Sequence, residues 1–305
     1  MNFLVRKLYL FLGVVLSLTL FTCGLWASSA SCAENFVVLH PQELPIGDPF
    51  VLKFTGEFHS GDLQARWLKH KVPLKSFGSA KENGDVYACI LAVPLECIDK
   101  TLPLQIVLLQ SGQPEKILYS ASINIVQREF TGHELSVEPK QANPAEKDLE
   151  RINQEAKKNR QILSGISGAR YWSIPLTRPV PGIITSEFGD KRIFNGQLRR
   201  QHKGADFRGA EGSAVKTCAD GRVVLAENQY FAGNFVIIDH GLGVFSTYAH
   251  LSAFKVKTGD RVKTGQLIGL VGKTGRVTGP HLHFGLAVLG SMANPEPLIP
   301  DFRKK

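Results

Sequence analysis

The stretch His281-Leu282-His283-Phe284-Gly285-Leu286-Ala287-Val288 alternates in a way that suits a β-strand and little else. Successive side chains of a strand point to opposite faces. Leu282, Phe284, Leu286 and Val288 therefore make one apolar face, and His281, His283, Gly285 and Ala287 make the other. The first face has to be buried. The second sets two imidazoles among small residues, as a sheet would if it floored an open groove. By itself a His-x-His pair says little about what that groove does.

Two further segments extend the pattern. In Gln201-His202-Lys203-Gly204-Ala205-Asp206-Phe207 the even spacing puts His202, Gly204 and Asp206 on one face and Ala205 and Phe207 on the other, with a glycine leaving room between the polar groups. In Ser246-Thr247-Tyr248-Ala249-His250-Leu251-Ser252 the same rule places Tyr248 and His250 together on one face. His240, in Asp239-His240-Gly241-Leu242-Gly243, reads as part of a hairpin turn with a structural role. Catalytic zinc sites commonly use three protein ligands and leave a fourth position for water, and nitrogen with carboxylate donors suits that ion. Four histidines and one aspartate supply more than enough. The surplus imidazoles can do the proton work of the glutamate in His-Glu-x-x-His enzymes, a motif this sequence lacks. Spacing does not decide whether His281 or His283 would be the ligand.

A length of 305 residues suggests two folded units after any leader is removed. Arg6 and Lys7 precede an apolar run from Leu8 to about Leu20, and small residues follow from Ala27 to Ala33, the three regions of a secretory leader. Two outcomes stay open: cleavage after Ala30 or Ala33, or retention as a single-span anchor. Phe21 and Thr22 before Cys23 argue against lipid attachment there. Short β-type runs then recur at Phe36–Leu39, Phe50–Phe54, Val86–Ile90, Leu104–Leu108 and Ala121–Ile125, the spacing of a β-sandwich. His40, His59, His70 and His133 are scattered and read as ordinary histidines. Asn143, Pro144 and the acids after them predict a polar connecting helix running to about Ile166, capped by Asn143 and packed through a thin stripe of Leu149, Ile152, Ala156 and Ile162. From Tyr171 the pattern is β again. Gly212-Ser213-Ala214-Val215 with Gly221-Arg222-Val223-Val224 is echoed by Gly259-Asp260-Arg261-Val262 with Gly265-Gln266-Leu267-Ile268, which fits a duplicated, barrel-like antiparallel sheet. Biotinyl and lipoyl carrier domains share the second phrase, but they need a lysine on a tight hairpin, and none stands here.

The fold class is therefore mainly β, in four parts: a leader over 1–33, a β-sandwich over 34–132, a helical linker over 133–170 and the histidine-bearing unit over 171–305. Charge divides unevenly among them. Residues 171–305 carry 18 Lys and Arg against 10 Asp and Glu, whereas residues 34–170 carry 16 against 17. This points to an anionic partner for the last unit or to a solubilising face. An exported protein meets anionic cell-envelope polymers first, and no nucleic-acid motif is present. Past the leader stand Cys89, Cys97 and Cys218. Cys89 and Cys97 could close a small loop or stay as two buried thiols, and Cys218 reads as a small buried side chain before a turn.

Taken in order, His202-x-x-x-Asp206, Tyr248-Ala249-His250-Leu251-Ser252 and Thr278-Gly279-Pro280-His281-Leu282-His283-Phe284 resemble the signature of lysostaphin-type (LytM-like) metallopeptidases. The likeness runs from about Ile184 to Pro297 and includes Gly233-Asn234-Phe235-Val236-Ile237. It implies zinc held by His202, Asp206 and His283, with His250 and His281 flanking the substrate as general base and transition-state stabiliser in an order left open. It further implies an endopeptidase acting on peptidoglycan peptides near glycine or D-alanine. The leader adds export to the periplasm or envelope, and a leader followed by one catalytic unit without an evident C-terminal wall-targeting module favours D-alanyl cross-links over polyglycine bridges. Some relatives of this type lack zinc ligands and activate other wall hydrolases. This chain has every expected ligand. The N-terminal β unit carries no catalytic cluster and is expected to position the enzyme or cover its groove.

Overall fold

The computed structural model describes residues 36–56, 62–80, 84–135, 144–194 and 197–304. The leader, Asn143 and His59 lie outside the described residues. Among those residues no helix is long and apolar enough to cross a membrane.

Nine strands open the described chain: β1 (Phe36–Leu39), β2 (Glu43–Pro45), β3 (Pro49–Gly56), β4 (Asp62–Trp67), β5 (His70–Pro73), β6 (Lys75–Ala80), β7 (Gly84–Ala92), β8 (Thr101–Leu109) and β9 (Lys116–Val126). They form one sheet in the order β1-β3-β7-β6 and a second in the order β2-β9-β8-β4-β5. Strict alternation in β3 buries Phe50, Leu52 and Phe54, and in β4 it buries Leu63, Ala65 and Trp67. The two faces meet: Phe50 and Trp67 stand edge to face at 5.3 Å, and the Trp67 indole donates to Ala92 O across the sheets at 2.8 Å. Cys89 is sealed in this core and Cys97 is half-buried at its edge. Both are free thiols, as is Cys218, so the small loop that the first two could close is not formed.

β10 (Gly132–Leu135) follows, and then α1 (Glu146–Leu163). The helix begins later than its sequence suggests. Ala145 occupies the N-cap position in an extended conformation and contributes no side-chain bond, so Pro144 lies outside the helix. The acids Glu146 and Asp148 do occupy its first turn. No residue of α1 is buried. It is tied to the hairpin it lies along by Arg151 with Asn228, Asn159 with Gln229 and Glu155 with the Tyr230 amide. Of the expected stripe, Leu149 faces solvent and Ile162 reaches the core, joined there by Leu163, which was not expected.

The last unit contains β11 (Ile184–Ser186), β12 (Lys191–Phe194), β13 (Gln197–Gln201), β14 (Ala205–Arg208), β15 (Ala214–Lys216), β16 (Gly221–Gln229), β17 (Gly233–Gly241), β18 (Val244–Phe254), β19 (Arg261–Val262), β20 (Leu267–Val271), β21 (His281–Val288) and β22 (Ser291–Ala293). Its main sheet runs β11-β14-β21-β18-β17-β16-β19. The two echoed glycine phrases are β15–β16 and β19–β20, and they exchange partners: β15 pairs with β20, and β16 with β19. β20 also pairs with the end of β18, which curls this part of the sheet back on itself. β12 and β13 form a hairpin that leads into His202, with β10 added alongside in parallel.

The main sheet has two unlike faces. Ala205, Phe207, Val236, Ile238, Tyr248, Leu282, Phe284 and Leu286 join the principal core. On the opposite face Leu225, Phe235, Ile237, Phe245, Ala249 and Ala287 make a second, smaller core roofed by Ile162 and Leu163 of α1. The helix covers part of that face; the remainder carries the polar side chains of β14 and β21.

Candidate metal centre

β14 and β21 lie side by side and antiparallel, with Asp206 opposite His283 and Arg208 opposite His281. Alternation along each strand turns Asp206, His281 and His283 away from the principal core, as their spacing requires. His202 precedes β14 by one turn of chain and meets the same point. Its Nε2 lies 2.9 Å from His283 Nδ1 and 3.1 Å from Asp206 Oδ1, while His283 Nδ1 lies 2.9 Å from the same oxygen.

These three atoms fit a metal ion better than they fit one another. The His202 Nδ1–H donates to Glu187 O at 2.8 Å, which leaves Nε2 as a bare acceptor in the neutral ring. Asp206 is acceptor-only when ionised. Burial opposes its ionisation, yet the His202 and His283 imidazoles beside it hold it well below the usual carboxylate range. Lone pairs thus converge where a cation belongs. Ligands 2.0–2.1 Å from a tetrahedral zinc stand about 3.3 Å apart, close to the observed triangle. Gly204 permits this closeness: a Cβ there would sit 2.4 Å from Phe284 O and 2.9 Å from His283 Nε2. The space the glycine leaves is taken by the His283 ring.

His281 and His250 stand on the same side of the sheet, beside these three residues. His281 Nε2 lies 3.8 Å from Asp206 Oδ1, and its Nδ1 pairs with Gly279 O at 2.9 Å. His250 lies beside His281, ring centroids 4.8 Å apart and planes tilted by 52°, and its Nδ1–H donates to Thr274 O at 2.9 Å. Burial first, and then the neighbouring His283 and His281, push His250 down to about 3.

His250 reaches this face by a route that alternation does not predict. Between the pairs Val236–Tyr248 and Asn234–Leu251, Phe235 of β17 faces two residues of β18, Ala249 and His250, a β-bulge. His250 sits there at φ 63°, in the left-handed region that histidine enters more readily than most residues. Tyr248 consequently does not share its face. It is fully buried against Phe284, and its hydroxyl accepts from Ser246 Oγ and the Cys218 amide. His240 lies inside β17 rather than in a turn, fully buried, bonded to Asp220 O and Ser246 Oγ and close to Cys218. Its structural reading stands.

Sequence reasoning passed over Ser186, Glu187, Asp190 and Thr274, which hold the imidazoles from behind. A Ser-x-x-Gly-Asp run is turn punctuation that would have marked the first three.

Residues 200–295 match Peptidase family M23. Peptidoglycan DD-endopeptidase ShyA of Vibrio cholerae serotype O1 is 46% identical over 112 residues, which cover 36% of this chain and 26% of that protein. DD-carboxypeptidase/endopeptidase Mpg of Neisseria meningitidis serogroup B is 44% identical over 112 residues, covering 37% and 26%. The likeness thus spans about a quarter of the length of each relative. In three dimensions the chain shares its fold with a protein of Pseudomonas aeruginosa described as a peptidase M23, at a TM-score of 0.60 and 23% identity over 84% of this chain and 93% of the other. The His202, Asp206 and His283 cluster falls inside the stretch, residues 200–295, that is similar to Peptidase family M23.

Proposed function

We propose that the protein is an exported zinc-dependent endopeptidase that hydrolyses stem-peptide or cross-link bonds of bacterial peptidoglycan. The observation that carries this reading is the convergence of His202 Nε2, Asp206 Oδ1 and His283 Nδ1 within 4.8 Å of one another on a groove face. Relatives named peptidoglycan DD-endopeptidases support the substrate class and favour D-alanyl cross-links over polyglycine. When bound by this triad, zinc would acidify a water and polarise the scissile carbonyl.

The chain's own residues do the rest. Thr274 O and Gly279 O each engage an Nδ1, which turns the Nε2 of His250 and of His281 to the groove. His250 is held neutral at physiological pH by its burial, so it offers a lone pair without adding charge beside the ligands. His281, nearer to Asp206, stands where a proton can pass between water and the leaving amine. The paired imidazoles thereby replace the glutamate of other zinc peptidases.

Anionic envelope polymers are proposed as a second partner. Arg222 and Arg261 face each other directly across β16 and β19, both exposed, and neither has an ion-pair partner among the described residues. Like charges so placed repel, and a polyanion relieves that repulsion. The leader over 1–33 supports export.

The deciding experiment measures zinc stoichiometry and identifies by mass the muropeptides released from purified wall, before and after chelation. One zinc per chain and chelator-sensitive release of cross-link fragments are expected. A metal-free, chelator-insensitive protein that stimulates other hydrolases would replace this reading with that of a wall-binding activator.

A further inference from the structure

The turn Ser186–Asp190 makes every contact that a device for aiming His202 would need. It leaves β11 at Ser186, which pairs with Asp206 after a shift in register, so the turn is rooted beside one proposed ligand and reaches over to another. Residue 202 is gripped at both backbone groups: its N–H donates to Asp190 O, and Gly189 N–H donates to His202 O, each at 2.8 Å. The ring is gripped as well. Nδ1 stands 2.8 Å from Glu187 O and 3.1 Å from Ser186 Oγ.

Asp190 gives the arrangement a direction. Its Oδ2 accepts from the Glu187 amide at 2.8 Å and from the Ser186 hydroxyl at 3.1 Å. Because the carboxylate takes the hydroxyl proton, Ser186 Oγ can meet Nδ1 only as an acceptor. Nδ1 must then carry the imidazole proton, and the Nε2 lone pair is left pointing at Asp206 and His283. Both ends are protected from water: Asp190 is 6% exposed and His202 3%. The turn is also wedged from outside. A Cβ on Gly47 would stand 2.6 Å from the Phe188 ring, and one on Gly189 would stand 2.0 Å from the Phe130 ring.

We infer that Ser186 and Asp190 are positioning residues that lock His202 in the Nδ1–H tautomer and so set the metal affinity of the site. The inference rests on the zinc reading above. In Asp190→Asn the acceptor shared by the Glu187 amide and the Ser186 hydroxyl loses its charge and weakens, the hydroxyl proton is freed to swing toward Nδ1, and the tautomer unable to bind metal gains population. Partners behind metal-bound histidines are commonly worth about 10- to 100-fold in affinity.

The test is zinc affinity of the full chain, measured by competition with a chromophoric chelator, alongside the histidine ¹⁵N shifts of the metal-free protein. D190N should weaken zinc binding about 10- to 100-fold and raise the Nε2–H form of His202. S186A should weaken it less, because Glu187 O remains, and Ser186→Thr should restore it. A folded D190N with wild-type affinity and an unchanged His202 shift overturns the proposal. If D190N does not fold, unchanged affinity and shift in S186A overturn it instead. Wild-type protein that takes up no zinc, or an H202A variant that binds as tightly as wild type, overturns the zinc reading along with it. Zinc binding that H202A abolishes while D190N and S186A leave it intact overturns the positioning alone.

Discussion

His202 and His283 meet through unlike atoms, Nε2 of one and Nδ1 of the other, 2.9 Å apart. The difference follows from where each ring is tethered. His202 comes off a loop and is held at Nδ1 from behind, so its far nitrogen faces Asp206 and His283. His283 rises from a strand directly beside Asp206, so its near nitrogen does. A lysine or glutamine replacement at either position could not reproduce this pairing of near and far donors.

Gly204→Ala tests the tightness of the cradle. The added methyl meets the Phe284 carbonyl and the His283 ring, neither free to retreat. Overpacking of this kind costs about 1–3 kcal/mol. Thermal unfolding of the metal-free variant should register that loss, and zinc affinity should fall with it. An unchanged melting temperature and affinity would mean that the ring has room it does not use.

Removing His281 or His250 should separate binding from chemistry. Neither belongs to the ligand triangle, so H281A should hold zinc at wild-type stoichiometry and lose cleavage by about 100- to 10,000-fold, the usual worth of a positioned acid or base. H250A should behave alike in metal content. Zinc quantification beside muropeptide release checks both, and a fully active H281A would refute its role.

Acid should weaken the metal-free protein through His250 before it does so through Asp206. Unfolded histidine titrates near pH 6.5, whereas this one is pushed down to about 3. Between those values the unfolded chain binds a proton that the folded chain refuses, so stability declines as pH falls through that window. Asp206 shifts downward too, and its stabilising contribution is present above about pH 4 and lost only below it. Urea unfolding of wild type and His250→Asn across this range should give a shallower decline for the variant. Parallel curves would contradict the assignment.

The arginine pair on β16 and β19 should respond to salt. R222S/R261S should elute earlier than wild type from a polyphosphate matrix at low ionic strength and show a weaker dependence of retention on salt. Removing the cross-strand repulsion should leave melting unchanged or slightly raised. Identical retention would assign the patch to solubility alone.

Strand alternation made the groove face of β14 and β21 legible from residue order, because both strands are regular where they carry Asp206, His281 and His283. It failed at Tyr248 and His250 because a bulge inserts a residue between them, and nothing in Tyr-Ala-His announces a left-handed backbone. The short strands β2, β4, β5 and β6 escaped notice for a related reason. Asp62–Trp67 does alternate, burying Leu63, Ala65 and Trp67, but it is short and lacks the β-branched residues that mark the longer strands. The helix start was misplaced because Pro144 suits a first turn by its φ, yet the chain remains extended at Ala145. The contact of Ser186 with His202 spans 16 residues and depends on tertiary folding.

Phe188 seated on Gly47 and Phe130 seated on Gly189 change what a truncation would mean. If the N-terminal β unit covered the site, a fragment beginning at Tyr171 would be a catalytic unit relieved of its cover. Here it would be a unit with one retaining wall removed, because the aromatic contacts that keep the His202 turn in place come partly from residues before α1. Higher activity in such a fragment would have to arise despite a loosened metal site, and lower activity would follow from mechanical slack alone.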